Sequence, residues 1–123
     1  MREPSSRASE ESGPVLETVG DGVVLVRVRG SLDGWAGSAE LVEALTGVAD
    51  GGVRRTVVDL SDVDFSDSAG LHALLRGQRK HDQAGATLVV AGPLSANVRR
   101  LFEVTGTLGA FHFANDVDAA ING

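Results

Sequence analysis

Two short runs rich in apolar residues begin at Val15 and predict a β-hairpin. Val15 to Val19 forms one apolar-rich run, and Val23 to Arg29 forms a second. In the later half of the second run, valines alternate with arginines, the period of a half-exposed strand. Gly20-Asp21-Gly22 between the runs is a turn signal, so the two strands should pair as a hairpin.

Helical and strand patterns alternate through the middle of the chain. Apolar residues recur at helical spacing from Ser38 to Val48, ahead of a Gly51-Gly52 stop. A third strand is predicted from Arg55 to Leu60, and Ser61 to Asp67 reads as a loop with Phe65 as its apolar anchor. Ser68 then has the form of an N-cap for a helix that should end near Gly85.

The last third of the chain repeats this alternation in shorter segments. Thr87 to Ala91 is an apolar run that predicts a strand, and Gly92-Pro93 breaks it. Ser95 can cap a helix that ends at Gly106. A short strand around Phe111 to Phe113 and one or two helical turns over Asp116 to Ile121 complete the order. The alternation predicts a sheet with helices packed on it and mostly parallel helix-linked strands.

Composition narrows the class of protein. The 123 residues suit one domain, and the polar segment Met1 to Gly13 is predicted to be a disordered tail ahead of a domain over 14–123. A net charge of −6 argues against direct binding of nucleic acid or an anionic membrane. Without cysteine, a signal-peptide core or a bilayer-length apolar run, the expected location is the cytoplasm.

Motifs for catalysis are missing from the sequence. It has no G-x-S-x-G elbow, no P-loop and no G-x-G-x-x-G after a strand. The three histidines, His72, His81 and His112, are isolated from one another and lack metal-ligand spacing. They are interpreted as structural or solvent-facing, so neither a cofactor nor a metal is expected and the chain is predicted not to be an enzyme.

The segment from Asp64 to Leu71 is the most distinctive, because it lies where a strand meets a helix. A helix N-terminus favours negative charge, so Ser68 there could act as a phosphorylation switch as well as a cap. From the residues alone, capping is the more common role. Asp33, in Gly30-Ser31-Leu32-Asp33, reads first as a turn residue. Asp33 would lie beside Ser68 only if the strand ends that precede the two residues are neighbours in the sheet.

The pattern of these segments resembles the STAS domain family, and most closely the bacterial anti-anti-sigma factors, or anti-sigma factor antagonists. The resemblance extends over Val15 to Gly123. It is carried by Asp59-Leu60-Ser61, Val63, Phe65, Asp67-Ser68, Gly70-Leu71, the earlier Gly30-Ser31-Leu32-Asp33, and Asn97-Val98-Arg99-Arg100-Leu101-Phe102 with Gly106. It implies a single α/β domain of STAS type, with a four- to five-stranded mixed sheet and helices mainly on one face.

The same resemblance implies a mechanism and a set of site residues. Ser68 would accept phosphate from an ATP-dependent anti-sigma factor serine kinase, and a serine phosphatase would reset it. Ala69 stands where many relatives have a second serine, which leaves Ser68 as the single acceptor. The expected partner-binding residues are Asp33, Trp35, Asp67, Ala69, Gly70 and Leu71. Trp35 could equally cover the core.

Two alternatives to this mechanism remain from the sequence. The chain could be a STAS interaction module that is never phosphorylated and serves a larger signalling or lipid-transport complex. A small nucleotide hydrolase using Asp33 and Asp67 with a metal is the enzymatic alternative. It is disfavoured because no phosphate-cradling loop is present.

Overall fold

A five-stranded mixed sheet organises the chain, and a computed structural model describes it over residues 13–32 and 34–122, with the side chains of 34–36 outside that description. The strands lie in the order β1-β2-β3-β4-β5. β1 is antiparallel to β2, and the remaining neighbours are parallel. The elements are β1 Val15–Gly20, β2 Val23–Leu32, α1 Gly34–Asp50, β3 Arg55–Ser66, α2 Ser68–Ala84, β4 Thr87–Ala91, α3 Ala96–Thr105, a 3₁₀ turn Leu108–Ala110, β5 His112–Ala114 and α4 Val117–Asn122.

Helices cover the two faces of the sheet unequally. α1, α2 and α3 pack on one face, where apolar residues such as Leu45, Leu74 and Phe102 meet the inward residues of β2 to β4. The short α4 covers part of the other face, with Ala120 against Leu25 and neighbouring strand residues. The central strands are therefore apolar on both faces, as parallel strands between two layers of helices require. The predicted mixed sheet with helices mainly on one face is confirmed.

Several predicted boundaries are confirmed by their local chemistry. β4 has the predicted limits. Gly85 and Gly106 end α2 and α3 with φ of 74° and 71°, the left-handed conformation that glycine adopts without a steric cost. The Ser95 hydroxyl caps α3 by accepting a hydrogen bond from Val98 N at 3.2 Å. The predicted tail lies outside the described residues except for Gly13, so the domain boundary stays a prediction.

Two predicted loops are instead strand or helix. β2 continues to Leu32 and α1 begins at Gly34, where a loop was expected over 30–35 and a helix only from Ser38. β3 continues to Ser66, although 61–67 reads as a loop. The two strands extend together because each supplies the other's backbone partners, for example where Leu32 lies opposite Ser66. Such pairing is a tertiary effect that overrides local sequence preference.

Candidate functional site

The site is built where β3 passes into α2. Ser68 is the first residue of α2, and its side chain is exposed. The predicted cap is wrong, because Asp67 is the N-cap. Its backbone is extended, and its carboxylate Oδ1 accepts a hydrogen bond from Gly70 N at 3.0 Å. Aspartate caps helices as well as serine does. Among the described residues no hydrogen bond engages the Ser68 hydroxyl, which is left facing outward.

Gly70 holds this helix start against the end of β2. A β-carbon at position 70 would lie 2.5 Å from Ser66 Oγ and 2.6 Å from the Leu32 carbonyl oxygen, closer than real atoms approach. Asp67 N also donates a hydrogen bond to the Leu32 carbonyl at 3.3 Å. Only glycine permits this close approach, so the end of β2 and the start of α2 form one tightly packed corner.

The other predicted site residues occupy different environments. Leu71 is 4% exposed and belongs to the core, so its side chain has almost no surface to offer a partner. Ala69 is half-buried and lines a groove between α1 and α2, of about 370 Å³. Asp33 lies outside the described residues, as does the side chain of Trp35. Their predicted roles therefore stay predictions.

Sequence reasoning missed part of this surface, because it treated Phe65 only as the apolar anchor of a loop. Its side chain is 45% exposed, close to Ser68 along the chain, and Asp62 and Asp64 beside it are also exposed. The sequence has no clear signal for this exposure, since phenylalanine is among the residue types most often buried. These three side chains give the end of β3 an acidic surface with one aromatic residue in it.

The three histidines lie in different environments: His72 and His112 are exposed, and His72 lines the same groove as Ala69, whereas His81 is part of the core. His81 is fully buried, with Nδ1 2.7 Å from the Gly77 carbonyl oxygen and Nε2 2.7 Å from the Thr56 hydroxyl. Because a carbonyl only accepts, Nδ1 carries the proton and Nε2 accepts from Thr56. Burial lowers the pKa of His81, opposed in part by the Gly77 carbonyl and the Asp82 carboxylate. Its predicted structural role is confirmed.

Two further features bear on the chemistry available to the site. Within residues 13–32 and 34–122, no group of three or more His, Cys, Asp or Glu side chains is placed to hold a metal ion. The same part of the chain has no helix long and apolar enough to cross a membrane. What the site does present is an unengaged hydroxyl at a helix start, beside exposed carboxylates and an exposed aromatic ring.

Comparison with known proteins identifies the family. The family model described as "Mlab, STAS domain" matches residues 17–109, which is most of the chain and includes both β2 and the corner at Ser68. The chain belongs to the STAS domain family.

Relatives of this STAS domain share a regulatory role. BtrV of Bordetella bronchiseptica, named as a candidate anti-sigma factor antagonist, is 36% identical over 101 residues, 81% of this chain and 84% of that protein. The anti-sigma-B factor antagonist of Staphylococcus aureus is 34% identical over 87 residues, 71% of this chain and 79% of that protein. The crystal structure of an anti-sigma factor antagonist from Mycobacterium paratuberculosis superposes with a TM-score of 0.76 at 28% identity, covering 89% and 90% of the two chains. Anti-sigma factor antagonists are regulatory proteins and not enzymes.

Proposed function

We propose that this STAS domain is a cytoplasmic anti-sigma factor antagonist that is switched by phosphorylation at Ser68. Unmodified, it binds an anti-sigma factor serine kinase, and the sigma factor is released. Phosphorylation ends that binding, and a serine phosphatase restores it. The observation that carries this proposal is the exposed Ser68 hydroxyl, which the Asp67 cap leaves unengaged at the start of α2.

The phosphoryl transfer needs only a hydroxyl from this chain. The Ser68 oxygen attacks the γ-phosphorus of ATP bound to the kinase, the bond to the β-phosphate oxygen breaks, and ADP leaves. The hydroxyl proton passes to a carboxylate base of the kinase. Kinases also supply the magnesium ions that offset the developing charge, so this chain needs no metal or nucleotide site of its own.

A phosphate at Ser68 would be compatible with the fold. It adds about −1.5 to −2 charges at pH 7. The N–H groups of Ser68 and Ala69 have no acceptor among the described residues, since the Asp67 cap engages Gly70 N. Free N–H groups and the helix macrodipole both stabilise an anion at this end of a helix. Phosphorylation is therefore expected to change binding without unfolding the domain.

Docking would be weakened because the kinase active site is itself acidic around the acceptor. It holds the nucleotide phosphates and the carboxylate base, and a phosphate on Ser68 would repel both. A loss of about 3 kcal/mol weakens binding roughly 150-fold. A change of that size is enough to shift the kinase from this protein to the sigma factor.

The test is phosphate transfer by the anti-sigma factor kinases of the host organism to the wild type, Ser68→Ala and Ser61→Ala. Ser61 is a matched control because it is an exposed serine of the preceding strand, β3, with its hydroxyl donating to Asp59 Oδ1 at 2.7 Å. We expect incorporation into the wild type and Ser61→Ala, and none into Ser68→Ala. Unchanged incorporation into Ser68→Ala would exclude Ser68 as the acceptor.

A second candidate function is a STAS interaction module that is not phosphorylated. It is favoured by the description of the matching family model, which names Mlab and does not name an anti-sigma factor antagonist. Mass spectrometry of the protein purified from its host distinguishes the two. A phosphorylated fraction at Ser68 supports the switch, and its absence under every growth condition in which the protein is expressed supports the constitutive module.

A further inference from the structure

β3 contains an extra residue immediately before the site. Val63 lies opposite Gly30 in β2, but the next pair joins Phe65 to Ser31, so Asp64 has no partner of its own. This is a β-bulge, a feature that re-aims side chains and occurs often beside functional sites. Gly30 facing it has a φ of 79°, which only glycine adopts readily.

The start of α3 holds this bulge in place. Ser95 Oγ donates a hydrogen bond to the Asp64 carbonyl oxygen at 3.2 Å, and Asn97 Nδ2 donates to the same oxygen at 3.4 Å. The backbone that the bulge removes from the β-ladder is therefore bonded to another element. Because the Asp64 carbonyl is held, the orientation of the peptide plane between Asp64 and Phe65 is held as well. This restricts the direction in which the Phe65 side chain leaves the backbone.

The consequence of the bulge is an exposed aromatic ring near the phosphoacceptor. Val63 and Ser66 are buried, and the two residues between them, Asp64 and Phe65, are both exposed. Phe65 and Ser68 are three positions apart in the sequence, so their Cα atoms lie within about 11 Å of each other. A single exposed apolar residue is common on proteins. Aromatic side chains, phenylalanine included, are enriched in protein interfaces, and this ring lies beside the proposed acceptor serine.

We propose that Phe65 is the docking anchor for the anti-sigma factor kinase, inserted into an apolar pocket on that partner. This inference rests on the proposed function and names the surface through which it works. Asp62 and Asp64 are exposed and form no ion pair within the described residues. The pocket should therefore carry lysine or arginine on the side that faces these two carboxylates, away from the kinase's catalytic centre.

The anchor is tested by titration calorimetry with the kinase that binds the wild type. Phe65→Ala should bind at least about 30-fold more weakly, as truncated aromatic anchors do. Val104→Ala is the matched control, since Val104 is 68% exposed at the far end of α3. It should bind within twofold of the wild type. Thermal unfolding of both variants checks that the weaker binding of Phe65→Ala does not come from a damaged fold.

The role of the bulge is tested by a double-mutant cycle with Asn97→Ala. If the Asn97 side chain holds the backbone that orients Phe65, Asn97→Ala should weaken binding, but by a smaller factor than Phe65→Ala does. It should then have little further effect once Phe65 is alanine. Additive losses in the double variant would contradict positioning through the bulge.

The outcomes separate this inference from the proposed function. Equal affinity of Phe65→Ala and the wild type for the kinase would overturn the anchor while leaving phosphorylation at Ser68 intact. Failure of the wild type to bind any of the host's anti-sigma factor kinases would overturn both. If Phe65 is the docking anchor, the kinase at a saturating concentration should still phosphorylate the Phe65→Ala variant at Ser68, because the acceptor hydroxyl is unchanged.

Discussion

Replacing Gly70 with alanine tests the packed corner on which the site is built. The new methyl group would lie 2.6 Å from the Leu32 carbonyl oxygen, whereas ordinary contact begins at 3.4 Å. The start of α2 would have to move away from β2 by about 0.8 Å, the difference between these two distances. Ser66 Oγ and Leu32 Cγ, at 2.5 and 2.9 Å, block the neighbouring directions.

The size of the effect follows from two opposing contributions. Overpacking of this kind costs about 1–3 kcal/mol. Alanine is favoured over glycine in a helix by up to about 1 kcal/mol. We therefore expect Gly70→Ala to lower the free energy of unfolding by roughly 1–2 kcal/mol. For a domain of this size that corresponds to a Tm lower by about 4–8 °C.

The assay is urea unfolding of the wild type, Gly70→Ala and the control Gly47→Ala. Gly47 is in α1, and a β-carbon there would have no atom within 4 Å. The control should gain stability by about 0.5–1 kcal/mol from helix propensity alone. Gly70→Ala should lose stability with an unchanged dependence on urea. A Gly70→Ala variant as stable as the control would refute the close packing described for this corner.

Substitutions at three further positions test other features of the structure. Asp67→Ala should lower the free energy of unfolding by about 1 kcal/mol and Asp67→Asn by less, since only the first removes the cap acceptor; thermal unfolding measures both. Gly77→Ala places a β-carbon against Leu45 Cβ at 3.0 Å, and should cost about 1–3 kcal/mol in the same measurement. The lowered pKa of His81 means that its contribution to stability is complete above the unfolded value of 6.5 and is lost as the pH falls below it. Urea unfolding between pH 7.5 and pH 5 should therefore show a decline that is smaller in His81→Gln.

Local signals were enough to predict much of this fold. Gly85, Ser95 and Gly106 each carry the chemistry of a helix end in the residue itself, so those boundaries could be predicted without knowledge of the neighbours. The hairpin, with its glycine turn, is local in the same way. The parallel extension of β2 and β3 is different, because residues more than 30 positions apart supply each other's hydrogen bonds.

The site was predicted in position but not in detail. The motif around Ser68 placed it at a helix start, yet Asp67 and Ser68 are both capping residue types, and only the backbone conformation decides between them. The exposure of Phe65 was not predicted, because a bulge of one residue cannot be read from spacing and changes which face of the strand a side chain occupies. The contact of Gly70 with Leu32 likewise depends on the neighbouring strand.

The central claim is that phosphorylation at Ser68 switches docking off. The most direct measurement is the affinity of the anti-sigma factor kinase, loaded with ADP, for the unmodified protein and for protein fully phosphorylated at Ser68, with both forms checked by intact mass and circular dichroism. We expect unchanged secondary structure and binding weakened by about 100-fold or more, because of repulsion at the kinase active site. Equal affinity of the two forms would contradict it.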